Sequence, residues 1–444
     1  MVTFRTGAIP RDMWLKDKST LVTRHVILIA LLAILSNVIL AAALPVIDGW
    51  GTETTRIAAS IANAEGFSSP FRLATGPSAW IPPVYPYLLA GIFLVFGVFT
   101  AASYWVAVGF NIIVHAFACA ILYRAAADVF GTRVGYYSAC ALASFPLLFY
   151  PLVRLHVLGG YAGGGLFISP NIIWYTHLSE LAIVLLIWLT LHPPHWTVYG
   201  LVWGIVALLN PTVLALAPAF AIWQLRNRKG WVYLVSAACI AALCVSPWLI
   251  RNYLTFHHPV FIRDNLGVEL RVGNQPGHHG RWSGELHPDR NDYELSRMVE
   301  LGEVEYSRVS EQEALRTIGA RPGEFFRNVI LRCGYWWIGN PMESRRLGKL
   351  KFVKYLPQLL FSLLAFFGAG RTLWSNNGKA SLFVGVLVFY PLIYYVTHTF
   401  DGFSYQYPIH PEMLALATSA IIRENPTMPL GTKQVPAGLD GLPP

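Results

Sequence analysis

Residues 26–47 read VILIALLAILSNVILAAALPVI, an apolar run without a single charged side chain. As a helix, a run of that length crosses a hydrocarbon core roughly 30 Å thick. It is longer than the apolar region of a secretory signal peptide, and Arg5, Arg11, Lys16, Lys18 and Arg24 stand before it. The pattern predicts an uncleaved membrane anchor with its N-terminus in the cytoplasm. Ala41-Ala42-Ala43 leaves cleavage as the alternative.

Outward from this run the same texture repeats. Apolar segments recur near residues 84–100, 104–124, 135–153, 172–191, 197–225, 231–248, 355–371, 380–398 and 409–422, each long enough or nearly so to cross a bilayer. The chain is 444 residues long, 55% hydrophobic and 13% charged, with a mean hydropathy of +0.47. These values define an all-α polytopic membrane protein. Its net charge of +9 is concentrated between apolar spans, with no basic stripe of the kind that tracks a phosphodiester backbone, so nucleic-acid binding is excluded.

Arg226, Arg228 and Lys229 mark one cytoplasmic loop, and Arg371 and Lys379 another, which puts the polar stretch from Arg251 to Lys354 and residues 399–408 outside. The segment 197–225 is interrupted by Asn210-Pro211 and reads as one kinked span or two short ones. One span puts residues 154–171 inside, two put them outside. The expected divisions are a cytoplasmic N-terminus (1–24), a transmembrane core (25–248) that includes an outer loop at 48–83, an outer or periplasmic subdomain (249–354), C-terminal membrane helices (355–422) and a disordered tail (423–444). The location this implies is a membrane crossed several times, with the N-terminus in the cytoplasm.

Four cysteines, Cys119, Cys140, Cys239 and Cys244, fall in apolar segments and Cys333 in a polar one, without disulfide or metal-type spacing. His278-His279, His287, His192 and His195 have no carboxylate or cysteine at ligand spacing. The sequence therefore predicts neither metal nor cofactor. Gly159-Gly160-Tyr161-Ala162-Gly163-Gly164-Gly165 lacks the lysine and the strand of a phosphate loop and reads as a flexible connection. Residues 283–328 interleave glutamates and arginines as a small solvated helical subdomain does. Phe325 to Ile338, with Tyr335-Trp336-Trp337, reads as a partly embedded helix or an aromatic interface anchor, and the basic run from Arg345 to Lys354 as a site for anionic lipid or a break in the topology.

The first outer loop carries the chemistry. Thr52-Glu53 opens a short amphipathic helix in which Ile57, Ala58 and Ile61 recur at helical spacing, so Glu53 falls in its first turn. A carboxylate there is favoured by the helix dipole and is an ordinary first-turn acid. It also has the reach of a general base at a membrane face. Behind it come Gly66-Phe67-Ser68-Ser69-Pro70-Phe71 and the rigid stretch from Gly76 to Pro86, which contains Trp80 and Tyr85. Arg251, Arg263 and Arg271 lie at or just after a membrane exit, where a lipid phosphate sits and where guanidinium forks suit phosphate oxygens. Ion pairing with Asp264 and Glu269 on the same loop is the other reading of these arginines.

Taken together, Glu53, Ala58, Gly66-Phe67-Ser68 and Ala79 to Pro86, followed by Ser246 to Tyr253, Phe261 to Asn274, Tyr394-Tyr395 and Tyr405 to Glu412, resemble the GT-C superfamily of polytopic glycosyltransferases. The likeness covers most of residues 48–413 and is to the bacterial members that use polyprenyl-phosphate-linked sugars, similar to dolichyl-phosphate-mannose-protein mannosyltransferases. It implies a GT-C helical bundle in which Glu53 is the catalytic base of an inverting transfer from a polyprenyl-phosphate-sugar donor within membrane lipid. The substrate-binding set it implies is Arg56, Trp80, Tyr85, Arg251, Arg263, Glu269, Arg271 and Asn274. The acceptor, be it glycan, lipid or protein, is not implied. The chain departs from the family at Trp174-Tyr175-Thr176, where relatives carry an acid after the tryptophan, and at Ser404, Gln406 and Tyr407, where they carry arginine and histidine. Glu180, one helical turn on, is a substitute for the missing acid. Those departures keep a second class open, a polyprenyl-lipid carrier, flippase or non-catalytic binding protein of the same fold.

Overall fold

A computed structural model describes residues 11–44, 50, 52–154, 169–227, 230–339, 355–375, 377–398 and 405–422. The glycine cluster at 159–165, Arg228 and Lys229, the basic run from Arg345 to Lys354, Ser404 and the tail 423–444 lie outside the described residues. Every regular element among the described residues is a helix. The N-terminal half contains α1 (Arg11–Ala43), α2 (Glu53–Ala62), α3 (Val84–Phe96), α4 (Ala101–Phe130), α5 (Thr132–Arg154), α6 (Thr176–Leu191), α7 (Trp196–Leu209) and α8 (Ala217–Asn227). The second half contains α9 (Trp231–Phe256), α10 (Leu266–Gly273), α11 (Asp292–Leu301), α12 (Glu303–Ala320), α13 (Pro322–Ile338), α14 (Leu356–Trp374), α15 (Ser381–Phe389), α16 (Leu392–Val396) and α17 (His410–Ile421).

Among the described residues, α1 from Thr20, α4, α9 and α14 are long and apolar enough to cross a membrane. Helices α3, α6, α7 and the α15–α16 segment are shorter but equally apolar. Where helices touch, small residues let backbones approach, the usual solution when lipid removes the hydrophobic drive between them. A Cβ at Gly200 of α7 would meet the Ala237 carbonyl oxygen of α9 at 2.2 Å, and one at Gly368 of α14 the Leu416 oxygen of α17 at 2.0 Å.

The chain reverses at Asn210-Pro211. Proline supplies no amide there, and the Asn210 side chain accepts from the Thr212 amide at 3.2 Å, an Asx turn that opens a short 3-10 helix before α8. Asn210 also donates to Ser179 Oγ near the start of α6 (3.1 Å), whereas Gln224 of α8 donates to the Thr190 carbonyl near its end (3.2 Å). Tyr199, early in α7, meets Thr190 through its hydroxyl at 2.8 Å. So α7 runs back along α6 and α8 returns, making two passes. The residues before α6 accordingly share an end with the close of α1: Asn171 donates to the Ala41 carbonyl (3.2 Å) and Tyr150 to that of Ala43 (3.1 Å).

The opposite end is held by His25 on Tyr123 (3.0 Å), Asn377 on the Val129 carbonyl (3.0 Å) and Trp223 on that of Gly378 (2.8 Å). Arg24, Arg124, Arg133, Arg226 and Arg371 belong to it by position in their helices, and Lys379 by its place in the turn before α15.

At the α1-exit end, the first loop and the polar subdomain fold as one body. Ile57, Phe71 and Trp80 pack in a single buried cluster with Ile262, Val268 and Met298. Hydrogen bonds from main-chain amides lock the seam, with the Asp264 amide on the Ala79 carbonyl at 3.2 Å and the Ala79 amide on the Glu303 side chain, at Oε1, at 2.5 Å. Within the loop, Ser78 N reaches the Phe67 carbonyl at 3.0 Å and Ser69 N that of Gly76 at 2.9 Å. Gly66 and Gly76 hold positive φ, +74° and +77°, at its two bends.

Candidate active site at the first-loop end of the bundle

Helix α2 begins at Glu53 behind an extended Thr52 whose side chain makes no cap. A first-turn acid in water would titrate low, drawn down by the helix dipole. Glu53 does the reverse: its carboxyl is pushed up to about 7, by burial first and then by the negative charge of Asp289, against the pull of backbone amides and Arg56, with Glu269 adding a smaller push. The side chain is only half-buried, so solvent reaches a group that protein atoms crowd closely. Ordinary capping does not account for that environment.

Arg56, one turn along, is held by Asp289 at 3.0 Å. Sequence reading did not single out Asp289, because only the fold brings residue 289 to the first loop. Glu269 of α10 lies on the same side. It accepts from Asn265 Nδ2 at 2.7 Å, with Arg263 at 3.8 Å and His398 Nδ1 at 3.4 Å. Burial raises its carboxyl to about 7 against the attraction of Arg263. His398 is driven down to about 3 by burial and then by Arg332, so it is neutral and brings no charge to Glu269. Two carboxyls thus stand near neutrality within electrostatic reach of each other, which is where a base or acid working at neutral pH belongs.

The three arginines named from sequence have different surroundings. Arg251 donates to the carbonyls of Ser78 (2.7 Å) and Phe67 (3.0 Å) and to Asn252 Oδ1 (3.0 Å), and its guanidinium lies over the rings of Trp248 and Phe67. Arg271 forks onto Glu294 at 2.8 and 2.9 Å and reaches Glu313 at 2.7 Å. Both are occupied within the protein. Arg263 differs: its carboxylate contact is the 3.8 Å approach to Glu269, its Nε has no hydrogen-bond partner, and Tyr175, Tyr405 and Tyr394 surround it. Those rings belong to a small cleft shared by Trp174, Tyr175, Asn210, Tyr390, Tyr394 and Tyr405. Tyr175, which follows Trp174, is therefore part of the wall beside Arg263.

The remaining expected residues sit further back. Trp80 is 1% exposed, edge-on to Phe71 and His287. Tyr85, also 1% exposed, points its hydroxyl at Asn111 Oδ1, 3.4 Å away. Asn274 caps α10 by donating to the Leu270 carbonyl at 2.9 Å and accepts from Arg332 at 2.7 Å. Gln406 is buried and donates to the Trp336 carbonyl at 3.0 Å, with Gln358 against its side chain. The structure brings Glu53, Arg56, Glu269 and Arg263 to one face and leaves Arg251, Arg271 and Asn274 bonded into their supports. Glu180 is not at this face but deeper, between helices, in contact with His115 and His177.

The helices define a multi-pass α-helical membrane protein in which the end bearing the first loop carries carboxyls, an arginine and a tyrosine cleft. No family model matches the chain, and no curated protein matches it. Among solved structures it is similar to the oligosaccharyltransferase AglB of Archaeoglobus fulgidus in complex with an inhibitory peptide and a dolichol-phosphate, at 12% identity and a TM-score of 0.49 over 90% of this chain and 50% of that one. It is also similar to ArnT from Cupriavidus metallidurans bound to undecaprenyl phosphate, at 9% identity and a TM-score of 0.36 over 91% of this chain and 78% of that one. The chain spans about half the length of the archaeal oligosaccharyltransferase structures it matches.

Proposed function

We propose that the chain is a glycosyltransferase of GT-C type that moves a sugar from a polyprenyl-phosphate donor to an acceptor at the outer face of a bacterial inner membrane. The observation that carries this reading is Glu53, half-buried with its carboxyl pushed up to about 7, within reach of Glu269 and thereby of Arg263, an arginine with unused donor capacity. Glu53 takes the proton of the acceptor hydroxyl as that oxygen bonds to the anomeric carbon. The bond from that carbon to the phosphate oxygen breaks, its electron pair leaves with the phosphate, and Arg263 stabilises the charge. Attack from the face opposite the phosphate inverts the anomeric centre. Arg56 and Glu269 flank the acceptor side, Trp80 and Tyr85 support the wall from behind, and Arg251, Arg271 and Asn274 hold the scaffold. The basic end of the bundle supports a cytoplasmic N-terminus.

Transfer of radiolabelled sugar from a mixed polyprenyl-phosphate-sugar pool by purified protein, wild type beside Glu53→Gln, tests this. Transfer by the wild type and its loss in a folded variant is the expected result. Equal transfer by both removes Glu53 from the chemistry. The tyrosine at 175 favours a second reading, a lipid carrier or binding protein, and donor lipid bound without transfer by either form would select it.

A further inference from the structure

Deep between α4 and α6, three ionisable side chains converge away from solvent. His115 of α4 places Nδ1 3.0 Å from Glu180 Oε2, and His177, one turn before Glu180 on α6, places its own Nδ1 3.6 Å from the same oxygen. All three are at most 1% exposed, and their ligand atoms lie within 4.8 Å of one another. Such groups are expensive inside a bilayer and persist where something compensates them. The visible compensation is incomplete. Neither ring nitrogen of His177 reaches a hydrogen-bond partner at normal distance, nor does Glu180 Oε1. Two imidazoles compete for one carboxylate oxygen while the other oxygen is idle. A second buried carboxylate, Glu412 of α17, has neither oxygen hydrogen-bonded. Among the described residues no lysine or arginine pairs with either acid.

We propose that His115, His177 and Glu180 hold a divalent transition-metal ion, zinc by their donor set, inside the bundle. Two neutral imidazole nitrogens and one carboxylate oxygen form the ligand trio that zinc accepts, and an ion at their centre would occupy the nitrogens and the charge that the protein leaves over. Ligands from facing helices, two of them a turn apart on one helix, are the arrangement by which helical bundles build metal sites. The outer shell is present as well. His115 turns Nε2 toward Cys119 Sγ at 3.5 Å, which orients the ring with Nδ1 toward the metal position. Tyr407 closes one side, its ring 5.6 Å from that of His177. The ion would fasten α6 to α4 just below Tyr175 and the cleft, and the proposal stands whether or not the chain transfers sugar.

The test is metal content and cobalt spectroscopy on the full chain purified in detergent without chelator. About one zinc per chain by elemental analysis is expected, together with visible d–d absorption when chelator-stripped protein is titrated with cobalt(II). His115→Gln and His177→Gln should lose both signals, and Cys119→Ala should weaken cobalt affinity by about 10–100-fold. Glu53→Gln should keep zinc and absorption unchanged. Wild-type protein that carries no zinc and develops no absorption with cobalt(II) overturns the proposal without recourse to any variant. So does zinc retained at full stoichiometry in folded His177→Gln, and either result would leave a metal-free histidine–carboxylate network.

Discussion

Arg56 and Asp289 meet at 3.0 Å, joining the helix that starts at Glu53 to a subdomain encoded far downstream. Asp289 is also the charge that most raises the Glu53 carboxyl after burial itself. Behind burial, Asp289 pushes the Glu53 carboxyl up and Arg56 pulls it down.

With its carboxyl at about 7, Glu53 must lose a proton before it can accept one. Transfer should therefore rise with pH below about 7 and level off above it. Asp289→Asn removes a negative charge and frees Arg56, and both changes lower the Glu53 pKa. The acidic limb of kcat/KM against pH should then move to lower pH, with the plateau displaced less than the limb. A limb that stays in place would separate Glu53 from the titrating group.

Glu53→Gln keeps the shape of the side chain and removes the base. Loss of transfer by about 10²–10⁴-fold with little change in donor KM is expected, measured with saturating acceptor.

Arg263→Ala and Arg251→Ala should fail differently. Arg263 has a single carboxylate approach and faces the tyrosine cleft, so its loss should lower transfer while leaving Tm nearly unchanged. Arg251 donates three hydrogen bonds to the first loop and its own helix, so its loss should cost about 2–4 kcal/mol of stability. A detergent melting curve beside the rate for each variant separates the two roles.

Besides Glu53, three carboxyls at the same end have raised pKa values: Asp264 at about 6 and Glu269 at about 7, with Glu303 pushed well above its ordinary value by burial and by Asp264 beside it. Protons held by the folded state but not by the unfolded one make stability fall as pH rises. Tm should therefore be highest near the ordinary carboxylate range and decline from about pH 4.5 through about pH 7. Glu303→Gln, which keeps an acceptor for the Ala79 amide, should flatten that decline and raise Tm at pH 8. A steeper decline in the variant would contradict the assignment.

Gly200→Ala drives a methyl to within 2.2 Å of a backbone oxygen on α9, whereas Gly109→Ala on α4 meets nothing within 4 Å. The first should cost about 1–3 kcal/mol and the second should be neutral or slightly stabilising, read as paired Tm shifts.

The apolar spans were legible because length and hydropathy alone decide whether a helix fits a bilayer, and Glu53 stood out by its distance from the first span. Asn210-Pro211 was legible as a break, either a kink or a reversal, with nothing in the sequence to decide between them. Its direction is fixed by Ser179 and Thr190, neighbours that sequence order does not supply. For the same reason Arg251, Arg263 and Arg271 looked alike: what distinguishes them is a carbonyl from Phe67, carboxylates from Glu294 and Glu313, and rings from Tyr175 and Tyr405. His115 was invisible as a partner of His177 because the two come from different helices, while the histidines in visible clusters, such as His278-His279, make no such group among the described residues.

The shared core of Ile57, Phe71 and Trp80 with Ile262, Val268 and Met298 has a consequence for biogenesis. As the chain is synthesised, the segment bearing Glu53 is made long before the residues that bury it. Until α10 to α12 have followed, the first loop has nothing to pack against. The surroundings that raise the Glu53 carboxyl are therefore completed late in synthesis, and a chain arrested partway leaves Glu53 without them.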